Sequence, residues 1–130
     1  MRGVVRALDA NVLVRLLTGD DPKQTAAAEA FVAPGAWISH LVLAEAIWVL
    51  DSVFARPPAS LARSIRMLLE HDALVVQDSD VVEAALAHFV ARPALCFSDG
   101  LVLEIARKAG HKPLGSFDKG LTKLPDTQKL

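Results

Sequence analysis

The hydrophobic positions change period along the chain, and each change marks an element. Residues 4–8 (Val-Val-Arg-Ala-Leu) read as a short strand, after which Val12, Leu13, Leu16 and Leu17 recur at helical spacing until Gly19. Asp20-Asp21-Pro22 supplies an acidic cap and a first-turn proline, opening a helix that carries Ala26, Ala27, Ala30 and Phe31 and ends at Pro34-Gly35. Residues 36–38 form a second predicted strand, and Ser39 can cap a long apolar helix from His40 to about Phe54. Pro57-Pro58 opens the next helix, with Leu61, Ile65, Leu68 and Leu69 on one side. A third strand over 73–76 leads to a helix bearing Val81, Val82, Ala85, Leu86 and Phe89. A further helix over 98–109 is closed by Gly110, and 114–117 is the fourth strand.

Strands alternating with helices predict an α/β fold with a parallel sheet covered on both faces. Ligands of such sheets bind beyond the carboxyl ends of the strands, where strand order reverses. Asp9 follows the first predicted strand and Asp118 the fourth. If those strands are neighbours, both carboxylates face one crevice. Asp99 begins the helix before the fourth strand, and Glu45 lies about two turns into the helix after the second.

These four acids share an apolar setting. An isolated carboxylate is costly to bury unless paired, and a divalent cation can serve several at once. Each acid also has a plainer role: Asp9 and Asn11 could cap the first helix, Asp99 could favour a helix dipole, and Asp118-Lys119-Gly120 could be a turn. Glu45, alone between apolar runs at 41–44 and 46–50, has no core role unless paired. One oxygen-lined metal site would account for all four.

Length and composition narrow the setting. The 130 residues form one expected domain, 1–130, long enough to bury a core. The single Cys96 excludes an intrachain disulfide, suits a reducing compartment and reads as a small buried hydrophobe. The N-terminus has no long apolar run of the signal-peptide kind. The longest uncharged stretch, 30–44, is shorter than the ~20 residues of a membrane span, so the expectation is a soluble, cytoplasmic protein. With a net charge of −1 there is no global basic field, and polyanion contacts must be local. Arg56 and the pair Arg63 and Arg66, a solvated helix face, are one candidate set. Lys108, Lys112, Lys119 and Lys123, which bracket Asp118, are the more suggestive one. The four histidines lack zinc-site spacing, and no glycine-rich dinucleotide or nucleophile-elbow motif is present.

The segments Leu8-Asp9-Ala10-Asn11-Val12-Leu13 and Leu43-Ala44-Glu45-Ala46-Ile47-Trp48-Val49-Leu50, the pair Ser98-Asp99 before Leu101-Val102, and Ser116-Phe117-Asp118-Lys119 together resemble a PIN domain. Within that family the chain is similar to the VapC-type toxins of prokaryotic toxin–antitoxin pairs. The resemblance spans essentially the whole chain, in order and spacing. It implies a three-layer α/β/α PIN fold with a short parallel sheet of four to five strands in the order 3-2-1-4-5, and a Mg²⁺- or Mn²⁺-dependent endoribonuclease. It also implies that Asp9, Glu45, Asp99 and Asp118 are the acidic cluster, with Asn11 and Ser116 in support. Gly100 departs from the family pattern, and glycine near a helix start loosens it.

Phosphodiester hydrolysis asks for an activated water, a Lewis acid and relief of charge on the leaving oxygen, all of which one or two Mg²⁺ ions can supply. Mg²⁺ usually takes only one or two direct carboxylates. The expected direct ligands are Asp9 and Asp99, with Glu45 and Asp118 acting through water or orienting the nucleophile, and Glu45 the better general base. Asn11 and Ser116 would steady an acid or contact phosphate. The expected partners are RNA, a cognate antitoxin and a second copy of the chain in a homodimer, since the 40–54 helix is apolar nearly all round. A housekeeping RNA-processing nuclease and a non-catalytic PIN scaffold are the alternatives.

Overall fold

The computed structural model describes residues 6–130, and its contacts divide into two units, one ending at Ser79 and one running from Asp80 to Leu130. The first unit contains α1 (Ala10–Thr18), α2 (Pro22–Val32), β1 (Ala36–Ile38), α3 (His40–Ser52), α4 (Pro58–Glu70) and β2 (Leu74–Val76). Its helix ends follow local chemistry. Gly19, at φ 62°, takes the left-handed turn that closes α1 and donates its N–H to the Arg15 carbonyl at 2.9 Å. The Asp21 carboxylate accepts from the Gln24 N–H at 3.0 Å, and the Ser39 hydroxyl accepts from the Val42 N–H at 3.1 Å. Both satisfy amide donors that the first turn of a helix leaves unpaired.

β1 and β2 pair in parallel from Ala36↔Leu74 to Ile38↔Val76. On the other side of β1, Ala7 makes a parallel bridge with Trp37. The Trp37 N–H donates to the Arg6 carbonyl at 2.8 Å, and the Leu8 N–H donates to the Trp37 carbonyl at 3.2 Å. The expected neighbours 3-2-1 are therefore present, although Val4 and Val5 of the first predicted strand lie outside the described residues. Leu13, Ile38, Leu43, Leu50 and Ile65 have no exposed surface and form the centre of this unit. Burial of each such side chain contributes about 1.5–3 kcal/mol.

Helix faces were less legible than helix ends. In α2 the predicted apolar positions Ala26, Ala27, Ala30 and Phe31 are exposed, while Ala28 and Val32 are buried. An alanine-rich helix has almost no preferred face, so packing on α1 selects it. α3 buries Leu43, Ala46, Ile47 and Leu50 but leaves Leu41 and Trp48 exposed at 77% and 65%. Glu45 is exposed between them, on the same helical face.

The second unit holds most of α5 (Ser79–Ala91), then α6 (Phe97–Lys108), β3 (Leu114–Ser116), a 3₁₀ turn (Leu121–Lys123) and β4 (Thr127–Lys129). α5 buries Val81, Val82, Ala85, Leu86 and Phe89, the five expected positions. Phe89 meets Phe97 edge-on, with centroids 6.4 Å apart. Leu95, Leu103, Leu121 and Leu124 form a cluster with Leu114 packed on it. β3 and β4 pair in parallel from Leu114↔Thr127 to Ser116↔Lys129. Thr127-Gln128-Lys129 has no hydrophobic alternation, so the period of the sequence does not reveal β4; hydrogen bonding to the open edge of β3 makes it a strand. The described residues thus form two two-stranded sheets and one bridge, in place of the continuous sheet expected.

Gly100 does not loosen α6. The helix begins at Phe97, the Asp99 N–H donates to the Cys96 carbonyl at 3.1 Å, and Gly100 is buried against α5. Across the same helix pair, His88 Nε2 lies 2.7 Å from a Glu104 carboxylate oxygen that also accepts from Arg107 at 3.3 Å. Arg107 continues to Asp126 at 3.2 Å, tying α6 to the turn before β4. Among the described residues no helix is long and apolar enough to cross a membrane.

Candidate active site

In the second unit, Asp99 on the first turn of α6 and Asp118 just after β3 line one cleft of about 600 Å³. Burial pushes the Asp99 carboxyl above its ordinary value, and the Asp118 charge pushes it further the same way. Nothing in the cleft compensates that pair within ion-pair distance among the described residues.

Asp118 is held by its own turn. The Ser116 hydroxyl accepts from the Asp118 backbone N–H at 3.0 Å. Asp118 Oδ1 accepts from the Leu121 N–H at 2.8 Å, and the Thr122 hydroxyl donates to the Asp118 carbonyl at 2.7 Å. The turn does not take Asp118 out of the cleft: one carboxylate oxygen accepts from the 3₁₀ turn while the side chain lines the cleft. Gly120 makes room for it, since a Cβ there would stand 3.2 Å from Oδ1.

Asp9 and Asn11 line a different cavity, a groove of about 500 Å³ in the first unit that also includes Arg15, Gln24 and Phe31. Asp9 does act at the start of α1, where Oδ1 accepts from the Ala10 N–H at 2.7 Å, and its side chain remains exposed. Glu45 lines neither cavity. The desolvation argument that singled it out does not apply, because the α3 face that carries it is open. Among the described residues, neither unit gathers three His, Cys, Asp or Glu side chains closely enough to hold a metal.

Two further expectations change. Cys96 is exposed at the start of α6 and lines the cleft beside Asp99, so it is not a buried hydrophobe. Of the four lysines around Asp118, Lys108 pairs with Asp80 at 2.9 Å and Lys112 lies 4.0 Å from Asp126, whereas Lys119 and Lys123 line the cleft. Arg92 joins them from the segment after α5. A lone arginine in a short connection carries no periodicity or motif, so the sequence offered no signal for it.

The donor set suits a hard cation. The Asp99 carboxyl is made harder to ionise by its burial and then by the Asp118 charge, a penalty a divalent ion held by these acids would relieve, and Mg²⁺ accepts one or two protein carboxylates with water completing its shell.

Among solved structures the chain is similar to Mycobacterium tuberculosis VapC20, described as a sarcin–ricin-loop-cleaving toxin, with 17% identity and a TM-score of 0.44 over 95% of this chain and 97% of that one. No curated protein sequence gives a significant match. A family model of the PIN domain matches residues 6–126, which takes in Asp9, Glu45, Asp99 and Asp118 across both units, and the chain therefore belongs to the PIN domain family.

Proposed function

We propose that the chain is a Mg²⁺- or Mn²⁺-dependent endoribonuclease, the toxin of a VapBC-type toxin–antitoxin pair, working as one PIN domain over residues 1–130. The observation that carries this reading is the uncompensated Asp99–Asp118 pair in a cleft of a PIN-family chain. That Asp9 and Glu45 join the same site, and that the strands complete the order 3-2-1-4-5, belong to the proposal and rest on the family match.

Asp9 and Asp99 would hold the metal directly, with Glu45 and Asp118 through water. When bound, the ion supplies Lewis acidity to a phosphoryl oxygen and lowers the pKa of a coordinated water. Glu45 would serve as the general base. Ser116 and the 3₁₀ turn fix the aim of Asp118, and Asn11 contacts phosphate or steadies Asp9.

The proposed partners are RNA, a cognate antitoxin and a second copy of the chain. The exposed Leu41 and Trp48 on α3 support a homodimer face, because two large apolar side chains a turn or two apart lose water on association. Cleavage of single-stranded RNA by the purified protein tests the function. Activity should require Mg²⁺ or Mn²⁺ and vanish with EDTA or with Asp99→Asn. Cleavage by that variant at the wild-type rate, after removal of contaminating nuclease, refutes it.

A further inference from the structure

The cleft that holds Asp99 and Asp118 carries both signs of charge. Arg92 comes from the segment after α5, while Lys119 and Lys123 stand four residues apart across the 3₁₀ turn. None of the three has an ion-pair partner within 4.0 Å among the described residues, not even the two acids that share the cleft with them. Other cations of this unit do have acidic partners: Lys108 has Asp80, Lys112 has Asp126 and Arg107 has Glu104 and Asp126. The protein as a whole carries a net charge of −1, so this basic group is a local concentration and no general surface property.

A ligand for this cleft must satisfy two opposite demands. An acidic peptide would meet the cations but bring its carboxylates up against Asp99 and Asp118, which line the same cleft. A basic peptide would relieve the acids but oppose three cations. A polyphosphate backbone accompanied by a divalent ion meets both, with the ion on the carboxylate side and the flanking phosphates on the basic side.

We propose that Arg92, Lys119 and Lys123 form a backbone clamp for single-stranded RNA, holding the phosphates that flank the bond presented to Asp99 and Asp118. This rests on the nuclease reading and assigns its positioning residues. Contacts to phosphate position the strand without reading its sequence. The guanidinium of Arg92 can grip one phosphate through two donors, and the lysines act as point charges on the next. The clamp therefore sets register and affinity, and leaves base choice to other parts of the protein.

The test is fluorescence anisotropy of a labelled single-stranded oligoribonucleotide over a series of KCl concentrations, in EDTA so that the strand stays intact. Each of Arg92→Gln, Lys119→Gln and Lys123→Gln should weaken binding several-fold and reduce the slope of log affinity against log salt by ~0.7, and the triple variant by about 2. With Mg²⁺ present the loss should fall on KM, and Lys119→Arg should restore the slope. A triple variant with wild-type circular dichroism, slope and KM overturns the clamp. So does polyglutamate that competes with RNA at equal charge and loses affinity through the same substitutions. If the slopes change as expected while wild-type protein cleaves RNA with neither metal, the clamp stands and the nuclease reading falls.

Discussion

Asp99, on the first turn of α6, and Asp118, just after β3, share one cleft, where burial and then the Asp118 charge both push the Asp99 carboxyl above its ordinary value, although the rest of α6 and all of β3 lie between the two acids in sequence. The pair is therefore a product of tertiary structure, and its consequence can be measured without any substrate.

A raised carboxyl pKa means that folded Asp99 binds its proton more tightly than the unfolded chain does. The stability linked to this group is complete below the unfolded value of 3.8 and is lost as pH rises through the folded value. In metal-free protein, Asp99→Asn should therefore raise the melting temperature near neutral pH, and the gain should disappear below 3.8. Added Mg²⁺ should stabilise the wild type and not the variant. A variant less stable than wild type near neutral pH would contradict the electrostatic account.

Gly120 and Gly100 should respond oppositely to alanine. At Gly120 the new methyl would crowd the Asp118 carboxylate at 3.2 Å, a contact tight enough to shift that group. RNA cleavage should fall several-fold with the melting temperature nearly unchanged. Full activity in Gly120→Ala would show that the aim of Asp118 is unimportant.

At Gly100 the methyl would stand 3.5 Å from the Ala85 carbonyl and from His88 Cβ, an ordinary packing distance. Removing a helical glycine without a clash should stabilise the protein by about 0.5–1 kcal/mol. Urea denaturation decides the sign; a loss of stability would mean that α5 and α6 cannot accommodate the methyl group.

The homodimer proposal puts Trp48, 65% exposed on α3, at an interface. Trp48→Asp should convert a dimer to a monomer in sedimentation velocity while leaving the far-ultraviolet circular dichroism unchanged. A wild-type monomer, or a variant dimer of undiminished stability, rules that face out.

Restraint of a toxin by its antitoxin would follow from the same acids. An arginine or lysine on a peptide that folds on binding, with apolar side chains beside Trp48, would compete with Mg²⁺ for carboxylate oxygens. Inhibition by the cognate antitoxin should then weaken as Mg²⁺ rises, and Asp9→Asn with Asp99→Asn should lower antitoxin affinity. Calorimetry that finds affinity indifferent to both would place the inhibitor elsewhere.

Local chemistry alone determined where most elements begin and end. Gly19, Asp21-Pro22, Ser39 and Pro57-Pro58 act on backbone amides and φ angles within a few residues, so their effects are written in adjacent positions. The five buried positions of α5 were equally legible, because spacing in a helix is spacing in sequence. The acidic blocks were found as motifs, and the family match contains them all.

Burial was what only the tertiary structure could decide. Glu45 and Cys96 were each expected to be enclosed by their apolar neighbours, yet both are exposed, because a residue's solvent contact depends on which helix face another element covers. β4 formed from polar residues because the edge of β3 offered hydrogen bonds. The clustering of Arg92 with Lys119 and Lys123, and the separation of those lysines from Lys108 and Lys112, depended on where two connections meet in space. Period and capping act over a few residues, whereas a cleft is made by segments that touch only after the chain has folded.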